Sequence, residues 1–399
     1  MNNIIISNQQ VRELLNPSAP ANLERSAIVQ SSSSLIKTIL TTNTIDSYHE
    51  TKLQLATLYD NLKDVFDYAK VPYELRERQF LNKTGFAMSP AHAITTIQDV
   101  FRVSAFVKGM DKAIIDLQKI YPAEVLHILY PACGPLAPLL VPLLAYYKAH
   151  EIYNETQLKV TFIDIQEGAI LSLVEILKVS GLDIFVKDIL LMDAVEYQTK
   201  EKIHLVVLEA MQHGFTKEGH LSISKHFADL LDEDGIFLPQ EVRVDAVLAI
   251  GEEEYNTQWK DTDLVASHNM NQEIKDKRVV LGSILKVNLE TLRAMEIMEL
   301  NENTRLVKCA TLSIPHFEDS DNQKVMLFTT NITIYEDETI NEYDSGITHP
   351  LPNMDICINF IPKTDKRNTD IYAVSGNSLT FYYKLVGLPG FLITKENVK

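Results

Sequence analysis

The chain has 399 residues, 46% of them hydrophobic, and carries 54 Asp plus Glu against 37 Lys plus Arg, a net charge of −17. That length allows two or three globular domains with substantial cores. The acidic balance excludes general nucleic-acid binding, which needs a basic face to displace counterions, and favours a cationic or neutral partner.

The opening MNNIIISNQQVRELLN lacks a cationic segment followed by a long apolar core, so no signal peptide is expected. Apolar residues recur at helical spacing over 48–70 and again over 91–121, which predicts a helical region across residues 1–120. SSSS at 31–34 reads as a loop or a helix start. The region is expected to be a packing layer, serving as a lid or a dimer surface, and a homodimer is left open. If it closes over the site beyond it, a small acceptor is favoured over a peptide.

Residues 121–240 change character. Short apolar runs, VLHILY, KVTFID, IFVKDI, IHLVVL and GIFLPQ, alternate with helical patterns, which predicts a parallel sheet covered on both faces. Ligands on such sheets bind beyond the carboxyl ends of the strands. The longest apolar stretch, PLAPLLVPLLAYY at 135–147, is short for a membrane span and holds three prolines. No membrane partner is expected, and the reading is a soluble, cytoplasmic protein.

Residues 241–399 are rich in β-branched and aromatic runs separated by turn signals such as EDSDNQ, NEYDSG and SGNS. They predict a barrel-like or sandwich domain that begins near Pro239. The expected fold class is therefore α/β plus β, with a Rossmann-like sheet between an N-terminal helical region and a β-barrel-like domain.

Candidate site residues fall on the predicted sheet's loops. In HILYPACGPLAP (127–138), Gly134 permits a tight turn and close approach of backbone to a ligand, and the turn Ala132–Cys133–Gly134 is expected beneath it. Cys133 is expected to pack there rather than to react. Asp164, ending KVTFID, suits the two hydroxyls of a ribose, or alternatively a helix N-cap, with Ile165 next to it. Asp193 either accepts from the exocyclic amine of adenine or sits on the surface. No GxGxxG or GxxxxGK[ST] loop is present, which disfavours NAD and ATP. An adenosine ligand without phosphate, S-adenosylmethionine, needs less of that cradle. His and Cys spacing offers no metal site.

The loop LEAMQHGFTKEGH (208–220) follows the fourth run and holds Glu209 and Glu218. A guanidinium is planar, cationic and presents a fork of N–H donors, so two carboxylates can grip different edges of it. His213 and His349 are further polar candidates, the latter to orient an acceptor from the β-rich side.

Here the chain resembles the protein arginine methyltransferases, clearly over residues 91–245 and loosely beyond. The spacing of Glu209 and Glu218 matches that family's double-glutamate loop, and FADLLDEDGIFLPQEVRV resembles the stretch leading to its barrel. IQDVFRV (97–103) resembles the family's Asp-x-x-Arg helix, which implies that Arg102 grips the cofactor carboxylate. GPL at 134–136 looks closest to the symmetric-dimethylating branch. Ala132, Leu136 and Tyr130 depart from the family's glycines and acidic residue. AMQHG replaces Trp-Met-Gly-Tyr, and THP (348–350) only partly resembles the barrel's Thr-His-Trp loop.

The resemblance implies S-adenosyl-L-methionine as cofactor and an acceptor that is free arginine, a related small guanidino metabolite or an arginine-containing peptide. Two other readings stand beside it: methyl transfer to another amine or to an oxygen in secondary metabolism, and a non-catalytic scaffold with a degenerate cofactor pocket.

Overall fold

The computed structural model describes residues 25–256, 271–316, 324–358, 360–365, 370 and 374–396. The N-terminal layer begins with helices α1 (Arg25–Thr41) and α2 (Tyr48–Tyr68). The SSSS segment lies within α1, where Ser31 returns its hydroxyl to the carbonyl of Ala27 at 2.7 Å. Such back-bonding lets a serine sit in a helix interior. The helical reading of residues 1–120 misses a small antiparallel hairpin, β1 (Phe80–Leu81) and β2 (Phe86–Ala87). Asn82 Oδ1 accepts from the backbone N–H groups of Thr84 and Gly85 at 2.8 and 2.7 Å, and this Asx turn reverses the chain. Helix α3 (Val100–Ile120) follows, N-capped by Asp99, whose carboxylate accepts from Arg102 N–H.

The central sheet holds β3 (Leu126–Pro131), β4 (Leu158–Asp164), β5 (Val186–Leu191), β6 (Leu205–Val207) and β7 (Ile236–Leu238). Its order is β5–β4–β3–β6–β7, and every pair is parallel. Helices α4 (Val141–Ala149), α5 (Glu167–Ser180) and α6 (His220–Ala228) cover it with the N-terminal layer. Because successive side chains point to opposite faces, Leu126, Ile128 and Tyr130 join one core, whereas Leu129 joins Ile163, Val206 and Phe227 in the other. Every residue of β3 is buried, as a parallel strand covered on both faces requires. The strand order reverses direction between β3 and β6, and a crevice opens there at the carboxyl ends.

The β-rich remainder forms two antiparallel sheets. In one, β8 (Glu241–Ile250) lies between β9 (Val279–Val287) and β10 (Lys324–Tyr335), and β10 also pairs β11 (Glu338–Ile340) and β12 (Leu351–Pro352). The other runs Met298–Asn301, Thr304–Ser313, Ser378–Lys384, Gly390–Glu396. The first core is continuous from α1 through the central sheet to Phe328 and Phe381 of these sheets. Helix α3 joins the two parts. Gly109 packs so closely that an added Cβ would fall 2.6 Å from Ile334 Cγ2. Lys112 pairs with Asp337 and Glu338, and Tyr335 donates to Asp116. The helix that carries Arg102 is thus fixed to both halves.

Candidate active site

The loops beyond β3, β4, β5 and β6 line one cavity of about 380 Å³. After β3 the chain turns sharply, with positive φ at Ala132 (50°) and Gly134 (68°). A Cβ at Gly134 would meet no atom within 4 Å, so the backbone there faces open space. Asp164 holds this turn: Oδ2 accepts from Gly134 N–H and Oδ1 from Gln166 N–H, both at 2.8 Å. Helix α5 is N-capped by Gln166, so Asp164 is a turn-holding carboxylate rather than the cap. Burial pushes Asp164 up to about 6, against the opposing pull of those N–H groups. The Ile165 N–H group pulls on the same carboxylate. Ile165 and the buried Cys133 also line the cavity.

Asp193 is half-buried and N-caps the turn Ala194–Glu196, and Asn82 Nδ2 donates to its Oδ2 at 3.2 Å. Burial raises its pKa.

Beyond β6, Glu209 and Glu218 both line the same cavity. Arg102 Nη1 donates to Glu209 Oε2 at 3.1 Å, and Nη2 donates to Thr96 O at 2.6 Å. The Arg102 and Glu209 side chains are 8% and 14% exposed, so the pair is largely desolvated. Burial raises Glu209, and the Arg102 charge opposes that shift. Glu218 Oε1 accepts from Gln212 Nε2 at 2.9 Å. Burial, reinforced by the charge of Glu209, pushes Glu218 up to about 7.

The glutamate loop is held from several sides. Gly214 adopts φ 64°, and a Cβ there would strike Leu351 at 2.7 Å, so only glycine fits. Phe215 packs on Tyr383, whose hydroxyl donates to Phe215 O at 2.8 Å. His220 accepts from Ala210 N–H on Nδ1 at 3.4 Å, and burial lowers its pKa to about 3, so it is neutral at pH 7. His213 lines the cavity, and burial lowers it to about 4.

His349 is not among the lining residues; it packs against the Tyr343 ring at 5.7 Å. Gly346 and Ile347 reach the cavity from that loop instead. The loop is joined to α3 through Asp99, which accepts from Ser345 Oγ at 2.5 Å and Gly346 N–H at 3.3 Å.

The β1–β2 hairpin spans the open edge of the sheet. Besides Asn82 on Asp193, Gln166 Nε2 donates to Arg78 O and Met88 O at 2.8 and 2.9 Å, and Phe86 N–H donates to Lys217 O at 2.8 Å. Spacing along the chain does not single out Asn82, Gln166, Gln212 or His220. Only Asn82 carried a local signal, in the Asn-x-x-Gly turn between Phe80 and Phe86.

Five carboxylates line the cavity, Asp99, Asp164, Asp193, Glu209 and Glu218, against one guanidinium, Arg102. That excess suits a cationic guest. Among the described residues, no cluster of His, Cys, Asp and Glu could hold a metal ion, and no helix is long and apolar enough to cross a membrane.

No protein-family model and no curated protein matches the chain. Among solved structures it is similar to the Trypanosoma brucei PRMT1 enzyme–prozyme heterotetrameric complex with AdoHcy, at 16% identity over 77% of this chain and 94% of that one, with a TM-score of 0.43. It is also similar to PRMT6 with SAH (10% identity, 77% and 99% covered, TM-score 0.44). A third is Arabidopsis thaliana protein arginine methyltransferase 10 (12% identity, 74% and 87% covered, TM-score 0.41).

Proposed function

We propose that this chain is an S-adenosylmethionine-dependent N-methyltransferase that acts on a guanidino group. One observation carries the reading: Glu209 and Glu218 share a cavity with Asp164 and the open backbone of Gly134, at the carboxyl edge of a parallel sheet.

The residues fit an adenosyl sulfonium. The space before Gly134 admits a ligand against the backbone, and the Asp164 carboxylate lining the same cavity suits ribose hydroxyls. Asp193 would face the adenine amine. Arg102 would hold the methionyl carboxylate through the N–H donors left beside its contacts with Glu209, Thr96 and Asp99. The cofactor supplies an electrophilic methyl group on a cationic sulfur.

The chain's own residues then bind and orient the acceptor. Glu209 already holds one guanidinium, that of Arg102, in a desolvated setting. Glu218 offers the oxygen that Gln212 does not occupy. Together they would fix the guanidine plane and draw its positive charge away from the attacking nitrogen. In-line transfer depends on alignment, and positioning can supply up to roughly 7–11 kcal/mol of the barrier reduction. A cation between the two carboxylates also relieves their mutual repulsion and favours the ionised form of Glu218.

Calorimetric titration with S-adenosylhomocysteine, together with mass spectrometry of guanidino acceptors after incubation with labelled cofactor, tests this. Binding and a methyl mass increment on a guanidine are expected. A folded protein that binds no S-adenosylhomocysteine would instead favour the scaffold reading, and methylation confined to an amine or oxygen would remove the guanidine assignment.

A further inference from the structure

We infer that the acceptor is a free small guanidino compound, not an arginine within a polypeptide. The inference rests on the function proposed above and assigns the substrate class of that same site. It is carried by a junction of three chain segments beside Glu218. Phe86 N–H donates to Lys217 O at 2.8 Å, Lys217 N–H donates to Pro389 O at 2.8 Å, and Gly387 N–H donates to Lys83 O at 3.2 Å. The hairpin turn, the glutamate loop and the turn before Gly390 are thereby closed against one another.

The closure is tight as well as bonded. A Cβ at Gly85 would fall 2.7 Å from Gly219 N and 2.8 Å from the carbonyl carbon of Glu218. No side chain, and still less a second backbone, passes between the hairpin and the glutamate loop. Gln212 fills the inner side of the same loop with its amide on Glu218. A peptide arginine can enter a deep site only if the flanking backbone lies along an open groove at the mouth. Between the hairpin and the glutamate loop, backbone hydrogen bonds leave no such groove. A free guanidino compound brings no flanking chain and needs no such groove.

The test uses the full chain with labelled S-adenosylmethionine. One arm offers L-arginine, agmatine and guanidinoacetate; the other offers glycine-flanked arginine peptides. Free compounds are expected to be methylated. Peptides should fall behind in kcat/KM by on the order of 100-fold, the population cost of opening three backbone hydrogen bonds. Peptides methylated as well as the free compounds would overturn the inference while leaving guanidine methylation standing. Binding of S-adenosylhomocysteine without methylation of any guanidine would defeat the proposed function itself, and the inference with it.

Asn82→Ala supplies a second readout. It removes the acceptor of the Thr84 and Gly85 N–H groups and loosens the turn. The peptide-to-free ratio of kcat/KM is expected to rise by about 10-fold, the effect of a loosened turn releasing the equivalent of one of the three junction bonds. An unchanged ratio in a folded variant would overturn closure by the hairpin.

Discussion

Arg102 and Glu209, 107 residues apart in sequence, meet as a largely desolvated ion pair with Nη1 3.1 Å from Oε2. The pair joins the first turn of α3 to the loop after β6. It therefore links the group proposed to hold the cofactor with the group proposed to hold the acceptor. Removing one partner of such a pair leaves a buried charge uncompensated. Arg102→Ala is expected to destabilise the fold by about 3–5 kcal/mol and to weaken S-adenosylhomocysteine binding. Denaturant unfolding and calorimetry measure the two effects, and a variant with wild-type stability would contradict the burial argument.

Glu209→Gln keeps the shape and a hydrogen-bonding side chain but removes the charge. Methyl transfer to a guanidine should fall by roughly 100-fold or more, the scale at which one well-placed electrostatic contact acts in a transition state. Affinity for S-adenosylhomocysteine should change far less. Equal losses in both would assign Glu209 to the cofactor instead.

Glu218 is expected to set the pH dependence of the proposed reaction. Its pKa stands near 7, raised from an ordinary 4.5 by burial and then by Glu209. The proposed clamp needs the ionised form, so kcat/KM is expected to rise as pH increases through about 7. The stability effect has the opposite sign. A carboxyl whose folded pKa is raised stabilises the fold below its unfolded pKa, near 4.5, and that contribution is lost as pH rises through about 7. The full span is up to about 3 kcal/mol. Glu218→Gln should therefore raise Tm at pH 8 relative to the parent, do less at pH 5, and abolish the acidic limb of the rate profile. A pH-independent difference in Tm would show that Glu218 does not titrate in this range.

Gly85 tests the hairpin contact directly. Alanine there meets backbone atoms of Gly219 and Glu218 at less than 3 Å, and those atoms cannot rotate away. Gly85→Ala should displace the hairpin, raise the acceptor KM and increase amide exchange over residues 80–88. Exchange unchanged from the parent would show that the hairpin is not held by this contact.

Ala132 carries a positive φ of 50° at a position where glycine is at ease. Ala132→Gly should stabilise the protein by up to about 1 kcal/mol, the left-handed cost of alanine less the entropy that glycine loses on folding. Thermal unfolding with and without S-adenosylhomocysteine checks this; a fall in Tm would show that the methyl group packs usefully.

Much of this was legible from residue patterns. The runs around Leu129, Phe162, Ile189, Val206 and Phe237 form the parallel sheet because strands buried on both faces must be apolar throughout. Asp164, Asp193, Glu209 and Glu218 lie at or beyond the ends of such strands, and the topology brings their loops to one cavity. Helical periodicity on either side hides the β1–β2 hairpin, since two-residue strands leave almost no period to detect. The serine run in α1 was similarly obscured by weak local propensity that tertiary packing overrides.

The sequence alone determined which segments could bury both faces, where their loops began, and which side chains could bear charge there. These are local properties, set by hydrophobic spacing and functional groups. Tertiary structure alone decided that Arg102 reaches Glu209, that Gln212 caps Glu218, that His349 stays out of the cavity lining, and that Asn82 and Gly85 bring a hairpin across the edge. Those relationships join residues distant along the chain. They depend on how helices and loops pack in three dimensions, which no spacing within one segment encodes.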